Sequence, residues 1–105
     1  MDLEQVIQLA QDETTPDSKL LSLMENYLYL YLYDEPNEST NYDEYLLRHE
    51  NYKHILELIA VNPNTSPNAL EKLFDYFPLQ VLNNISIPLI LLENNCFFDN
   101  LINTG

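Results

Sequence analysis

The two histidines are the first residues to consider for metal or acid–base chemistry. His49 and His54 are five residues apart, whereas two imidazoles share one face of a helix at a spacing of four. Glu50 and His54 do have the i, i+4 spacing, as do Lys53 and Glu57, and such pairs are typical of solvated helix surfaces. We therefore expect surface ion pairs here and no metal ion.

Nucleophilic and phosphate-binding motifs are missing from the sequence. The only glycine is Gly105, so neither a Gly-x-Ser-x-Gly elbow nor a glycine-rich phosphate loop can form. Cys96 is the only cysteine and lies between Glu93 and Asp99, and acidic neighbours oppose formation of the reactive thiolate. The sequence predicts a protein with no enzymatic activity and no cofactor, with Cys96 buried as an apolar residue in a reducing, cytoplasmic compartment.

The net charge of the chain limits the kinds of molecule that it can bind. Seventeen acidic residues face four Lys and Arg, a net charge of −13, which argues against binding to nucleic-acid phosphates or to an anionic membrane surface. Residues 1–50 hold 12 acids and 2 bases, and residues 51–105 hold 5 acids and 2 bases. We therefore expect a protein partner of basic charge that meets the N-terminal half, with no direct contact to nucleic acid or membrane.

Tyrosines precede the densest acidic segment of the chain. Tyr and Leu alternate from Tyr27 to Tyr33, and the polar loop Asp34–Asn41 follows. Aromatic side chains beside charged ones are typical of binding hot spots. The predicted partner-binding residues are Tyr29, Tyr31, Tyr33, Asp34, Glu35, Glu38, Asp43 and Glu44.

Other interpretations of these residues are open. The tyrosines can pack in the core and at its rim with their hydroxyls in water, and the acids can serve only to keep the protein soluble. Self-association through the tyrosine run, giving a homo-oligomer, is a further alternative. A calcium loop is disfavoured because the segment lacks the glycine and the regular ligand spacing of such loops.

Helices are the elements that would position these residues. A helix over residues 2–11 is predicted by the i, i+3, i+4, i+7 spacing of Leu3, Val6, Ile7 and Ala10. For the next helix, Thr15 is the predicted N-cap and Pro16 the first helical residue. The Tyr27–Tyr33 alternation fits a strand or a helix, but it continues the helical stripe that begins at Leu20, which favours a helix.

The remaining elements are also predicted to be helical. A third helix begins at Tyr42, with Tyr45, Leu46 and His49 on the same face, and a fourth runs from His49 or Asn51 to Val61. The turn over residues 62–67 ends in a cap and places Pro67 at the first position of the next helix, which is predicted over residues 68–76. Shorter helices follow over residues 79–82 and 88–93, and the tail at 96–105 packs onto them. We expect one domain, 1–105, with N-terminal helices (1–33), an acidic loop (34–41) and a repeat-like part (42–105).

An internal repeat gives this helical arrangement an order. Asn62-x4-Pro67 recurs as Asn83-x4-Pro88, a shift of 21 residues, and a weaker copy ends at Pro16. One such unit of helix, capped turn and helix cannot bury its own apolar face, whereas stacked units can. The predicted fold is therefore all-α, a short solenoid-like stack of five to six helices.

The repeat resembles a known family. Residues 59–73, IAVNPNTSPNALEKL, are similar to a unit of the bacterial leucine-rich repeat variant family, whose signature is an Ala-rich helix end, Asn-Pro-x-Thr-x-Pro and a Leu-x-x-Leu helix. Residues 81–89 resemble a degenerate copy in which Asn84 replaces the family's proline. The resemblance implies a right-handed stack of helices that acts as a scaffold. The iron–sulfur cluster of some members would need more cysteines than Cys96.

Two functions from different classes fit these observations. The first is a small acidic protein-interaction module without catalytic activity. The second is an inhibitor or immunity-type protein that presents carboxylates as nucleic acid presents phosphates and thereby blocks a basic nucleic-acid-binding protein.

Overall fold

The computed structural model describes residues 2–36, 39 and 41–93. Within them the chain forms six helices and no β-strand, so the predicted all-α fold is confirmed. The predictions for Cys96 and for the tail at 96–105 lie outside the described residues. The helices are α1 (Leu3–Gln11), α2 (Asp17–Tyr33), α3 (Tyr42–Val61), α4 (Pro67–Phe74), α5 (Pro78–Leu82) and α6 (Ile87–Glu93).

The first two helices follow the predicted apolar patterns. At the start of α1, Asp2 and Gln5 form a capping box in which each side chain accepts a hydrogen bond from the other's backbone N–H, at 2.9 and 3.0 Å. Such a box satisfies two of the N–H groups that a helix start leaves without an intrahelical partner. The whole Tyr27–Tyr33 run is part of α2, so the helical interpretation of the Tyr-Leu alternation is confirmed.

Helix α3 is a single helix of 20 residues, and the predicted break at His49 or Asn51 is wrong. Residues 48–51 contain neither Gly nor Pro, so nothing interrupts the backbone hydrogen bonds there. Asn41 caps the helix, because its Oδ1 accepts hydrogen bonds from Asp43 N at 3.0 Å and Glu44 N at 3.3 Å. The length of α3 lets it pack against both α1 and α2.

Helix α4 begins as predicted but ends early. Ser66 is its N-cap and accepts a hydrogen bond from Ala69 N at 3.3 Å, and Pro67 is the first helical residue. The helix ends at Phe74, two residues before the predicted end. Pro78 then begins α5, where its fixed φ and missing N–H are tolerated.

The core begins where α1, α2 and α3 meet. Leu20 and Met24 of α2 lie with Ile55 and Ile59 of α3 in this region, and all four are 0% exposed. The same cluster continues along α4, α5 and α6. Its other buried apolar members are Val6, Ala10, Leu23, Leu56, Ala60, Ala69, Leu70, Leu73, Phe77, Val81, Ile87 and Ile90.

Three turns in the described chain share one hydrogen-bonding pattern, and we name them the Asp12, Asn62 and Asn84 turns. In each, the side-chain oxygen of the first residue accepts the backbone N–H two residues later, at 2.8, 2.9 and 2.8 Å. The backbone oxygen of the same residue accepts the N–H three residues later, at 3.2, 3.1 and 3.1 Å. Asn62 therefore corresponds to Asn84, a spacing of 22 residues, and the predicted alignment with Asn83 is wrong.

The turns are joined by what we call the asparagine ladder. Asn62 Nδ2 donates to the backbone oxygens of Ala10 and Asp12, both at 2.9 Å. One layer further on, Asn84 Nδ2 donates to the oxygens of Ala60 and Asn62, at 2.9 and 2.8 Å. Each amide thus supplies both its hydrogens to carbonyls at the preceding helix end, where such oxygens have no intrahelical partner. The right-handed, solenoid-like character of the stack stays a prediction.

Two buried threonines close the first two turns in the same way. The Thr15 hydroxyl donates to Leu9 O at 2.8 Å, and the Thr65 hydroxyl donates to Ile59 O at 2.6 Å. Thr15 is therefore not the N-cap of α2 as predicted, since its hydroxyl bonds back to α1. Pro16 occupies the cap position of α2 without a side-chain hydrogen bond, so the start of α2 differs from the serine-capped start of α4.

The ladder predicts a sharp difference between two adjacent asparagines. Asn84 is 2% exposed and donates both amide hydrogens, so Asn84→Asp should lower the free energy of unfolding by about 2–4 kcal/mol, because a charge is buried, Ala60 O loses the side-chain donor and Asn62 O keeps only the Thr65 N–H. Asn83→Asp is the matched control, because Asn83 is exposed, and it should change stability by less than about 0.5 kcal/mol. Urea denaturation monitored by circular dichroism measures both. Equal losses would contradict the ladder.

Candidate protein-interaction surface

The three predicted tyrosines of α2 do not lie on one face of the helix. Tyr29 and Tyr33 are 64% and 65% exposed, and their rings lie side by side with centroids 5.1 Å apart. Tyr31 is half-buried. Since successive residues of a helix are rotated by about 100°, the Tyr-Leu alternation cannot place all three tyrosines on one face. The structure brings Tyr29 and Tyr33 together and separates Tyr31 from them.

Tyr31 lies in the contact between α2 and α3. Its ring stacks on His49 with centroids 4.6 Å apart and also meets Phe77 at 5.6 Å. Tyr45 also contacts the His49 ring, at 5.9 Å. His49 Nδ1 is buried and has no hydrogen-bond partner among the described residues. Tyr31 thus helps to hold α2 on α3, and its predicted role in partner binding stays a prediction.

The predicted acidic residues lie around the junction of α2 and α3. Asp34, the C-cap of α2, accepts a hydrogen bond from Arg48 Nε at 3.3 Å, and this bond raises the pKa of the Arg48 guanidinium. Glu35 is exposed. Asp43 and Glu44 are exposed in the first turn of α3, about one helical turn before Arg48. The predicted residue Glu38 lies outside the described residues.

Arg48 and Tyr52 organise this junction, which the sequence pattern did not predict. Burial is the main cause that raises the pKa of the Tyr52 phenol above its ordinary value, and the negative charge of Asp34 adds to it. Tyr52 also packs on Tyr27 of α2, with centroids 5.9 Å apart. The spacing of Arg48 and Tyr52, four residues on one helix, was visible in the sequence, but their shared neighbour Asp34 was not.

The first half of α3 also exposes apolar side chains, which the sequence pattern did not predict. Tyr42 and Leu46 were expected on one face with Tyr45 and His49, yet they are 62% and 42% exposed, whereas Tyr45 and His49 are half-buried. Near this face, α2 meets α3 through the stacked rings of Tyr31 and His49, which leave Tyr42 and Leu46 uncovered. Exposed tyrosines and carboxylates thus lie at the end of α2 (Tyr29, Tyr33, Glu35) and at the start of α3 (Tyr42, Asp43, Glu44), and we refer to these two groups, with Asp34 between them in sequence, as the acidic tyrosine surface.

Metal binding and membrane spanning find no support in the part of the chain that the structure describes. No group of three or more His, Cys, Asp and Glu among these residues could hold a metal ion. None of the described helices combines the length and the apolarity needed to cross a bilayer.

Comparison with known proteins does not assign the chain to a class. No family model, curated protein or solved structure matches it. The resemblance to the leucine-rich repeat variant family therefore stays a prediction.

The environment of Tyr52 predicts an alkaline instability. Because its pKa is raised in the folded state, the neutral phenol is favoured on folding, and this stability is present below the ordinary pKa of 10.0 and lost as the pH rises through the folded value. Tyr52→Phe should make the fall in stability above pH 10 less steep.

The measurement is the urea midpoint as a function of pH for the wild type and two variants. Tyr29→Phe is the matched control, because it removes the same hydroxyl from a ring that is 64% exposed. The same slope in Tyr52→Phe and Tyr29→Phe would show that burial of Tyr52 has no part in the alkaline loss.

Proposed function

We propose that this protein is a non-catalytic interaction module that binds a basic protein through the acidic tyrosine surface. The observation that carries the proposal is the exposed pair Tyr29 and Tyr33 at the end of α2, followed in sequence by the exposed carboxylate of Glu35. Tyrosines supply large contact area at a low cost in side-chain entropy, and they are enriched in binding hot spots. Carboxylates around them attract and orient a positively charged partner.

Local order supports the choice of this surface. Asn41 fixes the first turn of α3 and with it the backbone of Asp43 and Glu44. The Asp34–Arg48 ion pair, at 3.3 Å, ties the end of α2 to α3. A surface that is already ordered loses less entropy on binding than a flexible one. The carboxylates would therefore meet a partner in a fixed arrangement.

Mimicry of nucleic acid is a narrower form of this function. Residues 1–50 carry 12 acidic residues, and Asp34 and Glu35, like Asp43 and Glu44, form adjacent pairs. Such pairs can occupy the places of successive phosphates in a basic cleft, since both groups are recognised by the same Lys and Arg side chains. The partner would then be a protein whose own ligand is nucleic acid.

The test replaces the predicted carboxylates with amides of nearly the same size, and at Asp34 this also removes the ion pair with Arg48. The variant replaces Asp34, Glu35, Glu38, Asp43 and Glu44 with Asn or Gln, and it should lose a basic partner captured from host lysate at low salt. The matched control makes the same change in charge elsewhere, at Glu4, Glu13, Asp17, Glu71 and Asp75. Capture is measured by mass spectrometry at low and high salt, because electrostatic association weakens with ionic strength.

Three outcomes separate the possibilities. Loss of the partner only in the first variant, together with release by salt, supports the interaction module. Release of the partner by added duplex DNA supports mimicry as well. A partner retained by the first variant, or lost equally from both, would contradict the proposal and leave the acids with a role in solubility alone.

A further inference from the structure

One side of α2 carries two exposed aromatic rings and a carboxylate. Glu25, Tyr29 and Tyr33 are spaced four residues apart, so they share one face of the helix. The two tyrosines are 64% and 65% exposed, and their ring centroids are 5.1 Å apart with the planes tilted by 47°. Most of each ring is therefore open to a partner, and Tyr29 lies one helical turn from the negative charge of Glu25.

The ion pair that Glu25 forms within the chain is a weak one. Its Oε1 lies 3.6 Å from Lys72 Nζ of α4, and the side chains of Glu25 and Lys72 are 56% and 57% exposed. Ion pairs with this exposure contribute little to stability, because water and salt screen the two charges. Glu25 can therefore exchange Lys72 for a cation of a partner with little loss of stability.

The chain already contains one arginine that is bound by the same two kinds of group. Arg48 Nε donates a hydrogen bond to the Asp34 carboxylate at 3.3 Å, and Tyr52 lies one helical turn further along α3. The hydrogen bond to Asp34 is the main cause that raises the pKa of the Arg48 guanidinium, and Tyr52 adds to it. A carboxylate and a tyrosine thus stabilise one guanidinium in this fold.

The charge and the rings of this face fit an arginine better than a lysine. Residues 20–47 contain six acidic residues and neither Lys nor Arg, so this part of the chain attracts cations. The faces of aromatic rings attract cations as well. The planar guanidinium of arginine stacks on a ring while its N–H groups bind a carboxylate, whereas the lysine ammonium is a compact and strongly hydrated point charge.

We propose that the basic partner binds through an arginine side chain, whose guanidinium stacks on the Tyr29–Tyr33 pair and donates a hydrogen bond to the Glu25 carboxylate. The inference rests on the proposed function, because it names the residue type by which the partner is recognised. A partner that presents lysine in the same place binds more weakly, since lysine loses the planar stacking contact.

The test compares two peptides of equal length and charge, hexa-arginine and hexa-lysine, at physiological salt. Their dissociation constants are measured by titration calorimetry with the full-length protein, which should bind hexa-arginine more tightly. A variant with Tyr29→Leu and Tyr33→Leu should lower the ratio of the two affinities about two- to fivefold, because the cation–π contact is lost. Leucine is a strong helix former, so α2 is retained, and circular dichroism checks this.

Two control variants assign the effect to these rings. A variant with Tyr29→Phe and Tyr33→Phe keeps the ring faces and removes only the hydroxyls, so it should keep the wild-type ratio. A variant with Tyr42→Leu and Tyr76→Leu removes two other exposed tyrosines, which are 62% and 45% exposed, and it should also keep the ratio. The ring-proton signals of Tyr29 and Tyr33 should shift more with hexa-arginine than with hexa-lysine.

The carboxylate has its own matched pair of variants. Glu25→Gln should weaken the binding of hexa-arginine more than Glu13→Gln does, because Glu13 is an exposed acid outside α2 and its replacement removes the same charge.

The inference is overturned by any of three results. The first is an equal affinity of the wild type for the two peptides, or no binding of either. The second is an affinity ratio that the leucine variant at Tyr29 and Tyr33 leaves unchanged, or that the leucine variant at Tyr42 and Tyr76 lowers equally. The third is an equal effect of Glu25→Gln and Glu13→Gln. None of these results contradicts the proposed function, which fails only if the basic partner is captured independently of the neutralised carboxylates.

Discussion

The side-chain amide of Asn62 is the interaction on which the arrangement of the helices depends. Its two hydrogens bind the oxygens of Ala10 and Asp12, which are 52 and 50 residues away along the chain, and its oxygen fixes Asn64. A buried amide left without partners is costly. Only a position of α3 that places Asn62 at the end of α1 satisfies it, so this residue fixes the register of α3 against the N-terminal helices.

Local signals predicted most of the helices, and tertiary contacts account for what was missed. The Ser66 cap and the Pro67 start of α4 follow from sequence chemistry alone. The choice between Asn83 and Asn84 does not follow from sequence chemistry. The two residues are of the same type, and only packing against the Asn62 layer determines which of them is buried. Thr15 is a second case, since its hydroxyl can cap α2 or bond to α1, and the position of Leu9 O decides.

In the interaction surface, too, some features follow from local sequence and others depend on tertiary contacts. The exposure of Tyr29 and Tyr33 on one side follows once the Tyr-Leu run is helical, because residues four apart share a face. Tyr31, by contrast, lies in the contact between α2 and α3 because its ring stacks on His49, which belongs to a different helix. Likewise the Asp34–Arg48 pair needs α2 and α3 to be neighbours. The sequence therefore predicts which acidic residues and tyrosines are candidates for binding. It does not predict which of them instead hold α2 and α3 together.

Each asparagine side-chain amide donates hydrogen bonds only to the layer before it, and this order determines which layer can open without disturbing the others. The Asn84 layer takes both acceptors from the Asn62 layer, whereas Asn62 takes its acceptors from the opposite side. The layer of α5 and α6 can therefore open while the bonds below it persist, but opening at α1 removes support from α3. Parts of a folded protein can open locally at a lower free energy than global unfolding requires. Amide hydrogen exchange should thus be graded along the molecule, slowest around α3 and fastest at α6.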